Sequence, residues 1–467
     1  MRPRIYNYGA SKKPPLLVGR DELLRAWDGQ LGEVCRNGRR GVDDWLFTGP
    51  RGIGKTVTAD QLAVMAQTRG FEVVSVQAVD QQPTLIPSLL QQASDRLRAN
   101  STPWERAKTA LERFAGITLG AGGISVGVSL SPEDQASSRR TPEALAEALA
   151  ELAAAVHSER RGAAGLLLLV DEVQAGNQAE LGLLGAALGR LNKEPPSGRA
   201  DAPVLFLGSG LPTTGDALIA AGVTHPERLF NEIFLPTRLT EHDARRAIVE
   251  PARGVGVDWE DAAVDAVLVA SDCFPAHVQY FADAVWAKGS RPDLVTGGDA
   301  AAAIPEAMDL LDRKNERSLG DDWRKLSDRE AELVTAIALC GGRASVAQLE
   351  QLLGRQSRQW SVAREGALHK GAIAAPSRGR LELASPAMVR YALAHYPDRH
   401  QDARVELATL DEMHARLPAT VAHAVDGPVA LQTAALNPAR PSGTSSPPRG
   451  LPAPQDPGPE SGNPGIT

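Results

Sequence analysis

Gly49-Pro50-Arg51-Gly52-Ile53-Gly54-Lys55-Thr56 is a complete G-x-x-x-x-G-K-[ST] phosphate-binding loop, and its flanks decide the fold. Upstream, Asp44-Trp45-Leu46-Phe47-Thr48 is apolar and β-prone; downstream, Val57 to Thr68 carries apolar residues at helical spacing. The chemistry needs a strand entering and a helix leaving, because backbone N–H groups of the loop and of the helix N-terminus then cradle phosphate oxygens. In that setting residues Gly49, Pro50, Arg51, Gly52, Ile53, Gly54, Lys55, Thr56 and Val57 form the cradle. Lys55 neutralises β- and γ-phosphate oxygens, and the Thr56 hydroxyl offers a ligand to Mg²⁺. The plainer alternative is a Gly-rich turn before a helix.

A chain of 467 residues exceeds one ordinary core, so two or three domains are expected. The net charge of −7 argues against a protein that coats nucleic acid over its whole surface, and leaves a single basic module open. Cys35, Cys273 and Cys340 are too far apart for a metal-ligand spacing or a disulfide framework, which fits a reducing cytoplasm. The start MRPRIYNYGASKKPP has no apolar signal core, and the longest apolar run, Leu166 to Val170, is too short to span a bilayer. The expectation is a soluble cytoplasmic protein with no membrane partner.

After a flexible N-terminus (1–15), a helix is expected within 16–40, with Leu23, Leu24, Trp27 and Leu31 at helical spacing. Strands follow near 43–48, 71–78, 165–170, 203–209 and 232–235, with helices near 55–69, 85–99, 141–159 and 177–192. Such alternation predicts an α/β core over 16–239, a parallel sheet with helices on both faces. Gly116 to Val128, glycine-centred between β-prone arms, reads as a hairpin inserted near 116–130, either decorative or partner-contacting. Apolar helical repeats then run through 259–271, 275–288 and 299–316, an α-helical lid over 240–320. A third unit spans 323–397, a helical extension 398–416, and the Pro/Gly/Ser-rich tail 417–467 cannot bury a core and reads as disordered.

Leu166-Leu167-Leu168-Leu169-Val170-Asp171-Glu172 ends an apolar strand in an acidic pair. Paired with the phosphate loop, Asp171 would hold Mg²⁺, often through water, and Glu172 would polarise the attacking water. Ser209, in Leu205-Phe206-Leu207-Gly208-Ser209-Gly210, either orients water and senses a γ-phosphate or is a serine in a tight turn. Arg228, just before the last strand, either reaches a neighbouring subunit's γ-phosphate or is a solvated arginine.

The phosphate loop, the Val18-Gly19-Arg20 box, the Asp171-Glu172 strand and the helical lid together resemble AAA+ ATPases over about residues 16 to 317, within them the origin-recognition-complex-like and STAND-type groups. The resemblance implies a P-loop NTPase fold, ATP and Mg²⁺ as ligands, and Val18 and Pro275 beside the nucleotide. The lid of those proteins often carries Gly-x-Pro, and this chain has Cys273-Phe274-Pro275, which keeps the Pro without the Gly. Where many AAA+ lids offer an arginine to the phosphates, this one begins a helix with Ala276-His277-Val278-Gln279, so hydrolysis is expected to be slow.

Residues 323–397 follow another pattern. Helices near Ser327 to Leu339, Ser345 to Leu353 and Ser357 to Lys370, then a hairpin turning at Ser377-Arg378-Gly379-Arg380, resemble a winged helix-turn-helix domain, whose third helix enters the DNA major groove. Eleven Lys and Arg against six Asp and Glu give this segment +5 in a chain of −7. Arg355, Arg358 and Arg364 around the third helix and Arg378 and Arg380 at the wing are the candidate double-stranded DNA contacts. The expected function is a nucleotide switch binding ATP and ADP, whose state controls assembly and DNA or partner binding. The alternatives are a DNA-binding regulator with nucleotide as a static ligand, and a protein-docking module.

Overall fold

Five short segments form strands β1 (Asp44–Thr48), β2 (Phe71–Gln77), β3 (Gly165–Asp171), β4 (Val204–Gly210) and β5 (Phe230–Phe234). The computed structural model describes residues 3–7, 9, 12–37, 43–95, 102–115, 140–159, 164–193 and 203–417. The strands lie in the order β2-β3-β4-β1-β5, and every neighbouring pair is parallel. Parallel strands need crossovers, and helices supply them on both faces. Leu46, Val74, Leu168, Val170 and Phe206 pack with the helices Leu85–Ser94, Thr102–Ala115, Pro142–Glu159 and Gln178–Lys193. Trp45, Phe47, Leu167, Leu169 and Leu205 pack on the opposite face with Asp21–Asn37 and Lys55–Thr68. Alternate residues of β3 thus serve opposite layers, which is why its sequence is an unbroken apolar run.

Three helices in the core have no counterpart among the expected elements, Thr102–Ala115, Thr214–Ala220 and the short Pro226–Leu229. The first buries Ala107, Ala110, Leu111 and Phe114 at helical spacing, but three of its first five described side chains are charged and dilute the pattern. The hairpin expected near 116–130 and the tail from 418 lie outside the described residues.

The lid packs Glu241–Arg253, Asp261–Ser271, Pro275–Lys288 and Gly297–Lys325 around Ile248, Val264, Phe281 and Val285, with β6 (Asp258–Trp259) paired to β7 (Leu294–Val295). Thr240 caps the first helix through the Asp243 N–H at 3.1 Å, and Thr296 and Asp299 form a capping box on the last. The boundary expected near 320 is absent: Gly297–Lys325 is one helix of 29 residues, about 43 Å long, whose Leu319 and Trp323 enter the next core.

That next unit holds the helices Asp328–Leu339, Val346–Leu353 and Ser361–His369, followed by Ala387–Gln401. A three-stranded sheet completes it, in the order β8 (Arg343–Ser345), β10 (Arg380–Leu383), β9 (Ile373–Ser377). The helical extension expected at 398–416 is divided: Ala387–Gln401 crosses the expected boundary, 402–409 is not helical, and Leu410–Ala415 is a separate turn-and-a-half capped by Thr409. Among the described residues no helix is long and apolar enough to cross a membrane.

The N-terminal segment departs from its expected flexibility. Tyr6 is fully buried in the lid core, edge-on to Trp259 and Trp286, and its hydroxyl donates to Ile248 O at 2.5 Å. Arg4 pairs with Asp283, and Trp286 Nε1 donates to Pro3 O. Its Pro, Lys and Gly content hides a single aromatic anchor, and one residue leaves no periodic pattern. Tyr6→Ala is expected to destabilise the protein by about 3 kcal/mol, read as a lowered urea midpoint.

Candidate active site at the ends of strands β1, β3 and β4

The sheet register brings three strand ends together: Thr48 of β1 faces Gly210 of β4, and Val170 of β3 faces Gly208. The phosphate loop leaves β1 at this edge and turns into Lys55–Thr68 through left-handed backbone at Gly52 (φ 84°) and Gly54 (φ 92°). A Cβ at Gly52 would stand 2.8 Å from Phe274 Cε1, so glycine is required there twice over. Arg20 of the N-terminal box braces the loop from below, donating from Nη2 to Ile53 O at 3.0 Å. Val18 is buried in the lid core beside it.

Lys55 is 8% exposed, and its Nζ donates to Gly49 O and Pro50 O, both at 2.7 Å. Burial pushes its pKa down to about 8; Glu172 and Asp171 oppose that shift and Arg51 adds to it. Asp171 is the hub of the polar cluster. Its Oδ2 accepts from Thr56 Oγ1 at 2.8 Å, and its Oδ1 accepts from the Glu172 N–H at 2.9 Å and from Ser209 Oγ. Ser209 is fully buried. Its hydroxyl therefore holds the carboxylate, a role outside both sequence alternatives.

A hydroxyl and a carboxylate oxygen, beside a cradle of N–H groups and an ammonium, are the hard donor set that suits Mg²⁺ completed by phosphate and water. Glu172 stands next to this cluster, half-exposed, with left-handed backbone (φ 53°). Its Oε2 accepts from Gln174 Nε2 at 2.5 Å. Gln174 was not singled out in the sequence, although it lies only two residues beyond Glu172.

The lid roofs the loop. Ala276 N–H donates to Gly52 O at 3.2 Å, and Phe274 is buried against the Gly52 turn, which places half-exposed Pro275 beside the cradle. His277 neither faces solvent nor carries charge. It is 5% exposed, tilted against Phe274 with ring centroids 4.9 Å apart, and burial, with Arg238 and Arg390 nearby, pushes its pKa down to about 3. Arg238, in the hinge between core and lid, lies over the Phe274 ring at 5.7 Å. It donates to Asp272 Oδ2 at 3.0 Å and to Leu383 O of the third unit at 3.1 Å, while Thr237 bonds buried Glu382. Arg343 closes the same junction on Asp272.

Arg228 is not part of this cluster. It is exposed and precedes β5, whose Phe230 pairs with Asp44 at the start of β1, so it lies at the sheet edge opposite its own phosphate loop. Among the third unit's candidate contacts, Arg355 pairs its guanidinium with Glu332, which is 1% exposed, and donates to Leu353 O. A buried carboxylate needs that partner, so half-exposed Arg355 is held by Glu332. Arg343, Lys370 and Arg390 are likewise engaged, with Asp272, Glu330 and Asp312. Arg358, Arg378 and Arg380 are exposed and Arg364 is half-exposed.

The model of a domain of unknown function, DUF8462, matches residues 318–392. No curated protein matches the chain. Solved structures similar to it include the Walker-type ATPase of Pyrococcus abyssi, 15% identical over 81% of this chain and 96% of that one, with a TM-score of 0.49. The ORC2 protein of Aeropyrum pernix is 15% identical over 84% and 96%, with a TM-score of 0.48. The Thermotoga maritima RuvB Holliday junction branch migration motor is 16% identical over 83% and 96%, with a TM-score of 0.37.

Because unfolding lets His277 bind a proton near its ordinary pKa of about 6.5, stability is expected to fall as the pH drops below that value. From pH 7 to pH 5 the loss is about 2 kcal/mol in urea unfolding, and His277→Phe should remove that share of the pH dependence.

Proposed function

We propose that this chain is an ATP-binding switch that hydrolyses ATP slowly and passes its nucleotide state to the C-terminal unit. The observation that carries the reading is the Asp171 hub: one carboxylate joins the phosphate loop through Thr56 and β4 through Ser209, with Glu172 beside it. Lys55 exchanges its loop carbonyls for phosphate oxygens, and the loop N–H groups hold the rest of the anion. Mg²⁺ held by Thr56 and Asp171 would neutralise charge on the transferring phosphoryl group. Glu172 accepts the proton of the attacking water. Neutral His277 adds no cation from the lid, which supports slow turnover. The resemblance to AAA+ ATPases supports the same assignment, with Val18 and Pro275 flanking the base.

Arg228 cannot serve its own site from the opposite sheet edge, so a finger role requires a second copy of this chain. DNA binding through a winged helix is a reading supported by Arg358, Arg364, Arg378 and Arg380, which lie on or beside one helix and one hairpin tip.

Lys55→Ala is expected to abolish ATP binding in calorimetry; unchanged affinity would remove the loop from the site. Glu172→Gln should keep binding while turnover falls at least about a hundredfold in a phosphate-release assay. Double-stranded DNA binding should weaken steeply with salt, and Arg358→Ala with Arg364→Ala should flatten that slope by about two contacts. No binding at low salt would leave protein docking as the third unit's role.

A further inference from the structure

Gln174 lies in the single 3-10 turn Val173–Ala175 after β3, and its amide is held at both ends. Oε1 accepts the Leu211 N–H at 2.9 Å, with the Thr214 hydroxyl, shared with Leu211 O, at 3.3 Å. Nε2 donates to Glu172 Oε2. A donor on the oxygen side and a carboxylate on the nitrogen side fix which way the amide points. Gly210 makes the approach possible, since a Cβ there would stand 2.6 Å from Gln174 Oε1.

Leu211 opens the loop that leads into Thr214–Ala220, and the third unit rests on that loop. Pro212 Cδ lies 3.5 Å from where a Cβ of Gly371 would stand, and Asp216 pairs with His369 at 2.8 Å. An unbroken series of contacts therefore runs from Glu172 through Gln174 and the 211–216 loop to the end of the helix Ser361–His369.

We propose that Gln174 is a positioning residue for Glu172 and couples the setting of that carboxylate to the 211–216 loop, and through it to the third unit. The proposal rests on the ATPase reading above. A carboxylate that must turn toward the attacking water carries its partner amide with it or releases it. The first moves the acceptor that Leu211 N–H relies on, and the second frees the amide that carries it from the contact that fixes its orientation. The loop beneath the third unit then differs between the ATP and ADP states.

Gln174→Glu separates the two ends of the amide, because a carboxylate still accepts from Leu211 but repels Glu172. Gln174→Ala removes both. We expect both variants to bind ATP within about twofold of the wild type, with kcat down about tenfold and KM unchanged. Hydrogen exchange of 211–217 and 368–373 should differ between ATP-bound and ADP-bound wild type, and that difference should vanish in both variants. Gln174→Glu decides the matter if Gln174→Ala fails to fold, since it keeps the Leu211 hydrogen bond. Wild-type kcat in Gln174→Glu, or a retained exchange difference, overturns the proposal. A wild type that binds ATP without turnover overturns the hydrolytic reading instead, and the exchange measurement, which needs only bound nucleotide, still decides the coupling.

Discussion

The Asp171 carboxylate accepts hydrogen bonds from Thr56, Ser209 and the Glu172 backbone, and through them fixes three strand ends at one edge of the sheet. A carboxylate at the end of a buried strand needs such donors, because desolvation without them would raise its energy. The donors in turn must come from different strands, and the parallel register delivers them: β4 lies between β1 and β3, so its Ser209 can meet a side chain from β3 beside the loop from β1. Satisfying one charge thus sets the geometry of the whole edge. The loop glycines, the ammonium of Lys55 and the carboxylate of Glu172 are arranged around that point.

A second constraint acts from above. Phe274 and Ala276 press on the Gly52 turn, and Arg238 lies over the Phe274 ring while reaching Asp272 and the third unit. Arg238 is planar and multiply donating, so one side chain can satisfy a carboxylate and a carbonyl while covering an aromatic ring. The phosphate loop, the lid and the C-terminal sheet therefore share one buried junction. The continuous helix Gly297–Lys325 adds stiffness to the same connection, since lid and third unit grow from its two ends.

The central strands β1, β3 and β4 were legible because their burial on both faces writes largely apolar runs, and the phosphate loop because its glycines and lysine have few substitutes. The helix Thr102–Ala115, whose buried face is half alanine and lies among charges, was not. Tyr6 was invisible for a different reason: a lone anchor has no period. The basic excess of the third unit was legible as composition, but the ion pairs that engage part of it were not. Glu332, Asp272 and Asp312 consume Arg355, Arg343 and Arg390, two of those acids from the lid, and a local charge count cannot include partners distant in sequence.

By itself the sequence determined the parallel α/β core, the loop from Gly49 to Thr56, and the acidic pair that ends β3, because each follows from local residue types at fixed spacing. Only the tertiary structure decided what those groups touch. Ser209 became a support for Asp171, Gln174 a clasp on Glu172, His277 a neutral buried ring, and Arg238 a bracket between three units. Apart from the clasp on Glu172, whose other end still reaches Leu211 far along the chain, these roles join residues tens to hundreds of positions apart or depend on burial, and neither is written in the order of the residues along the chain.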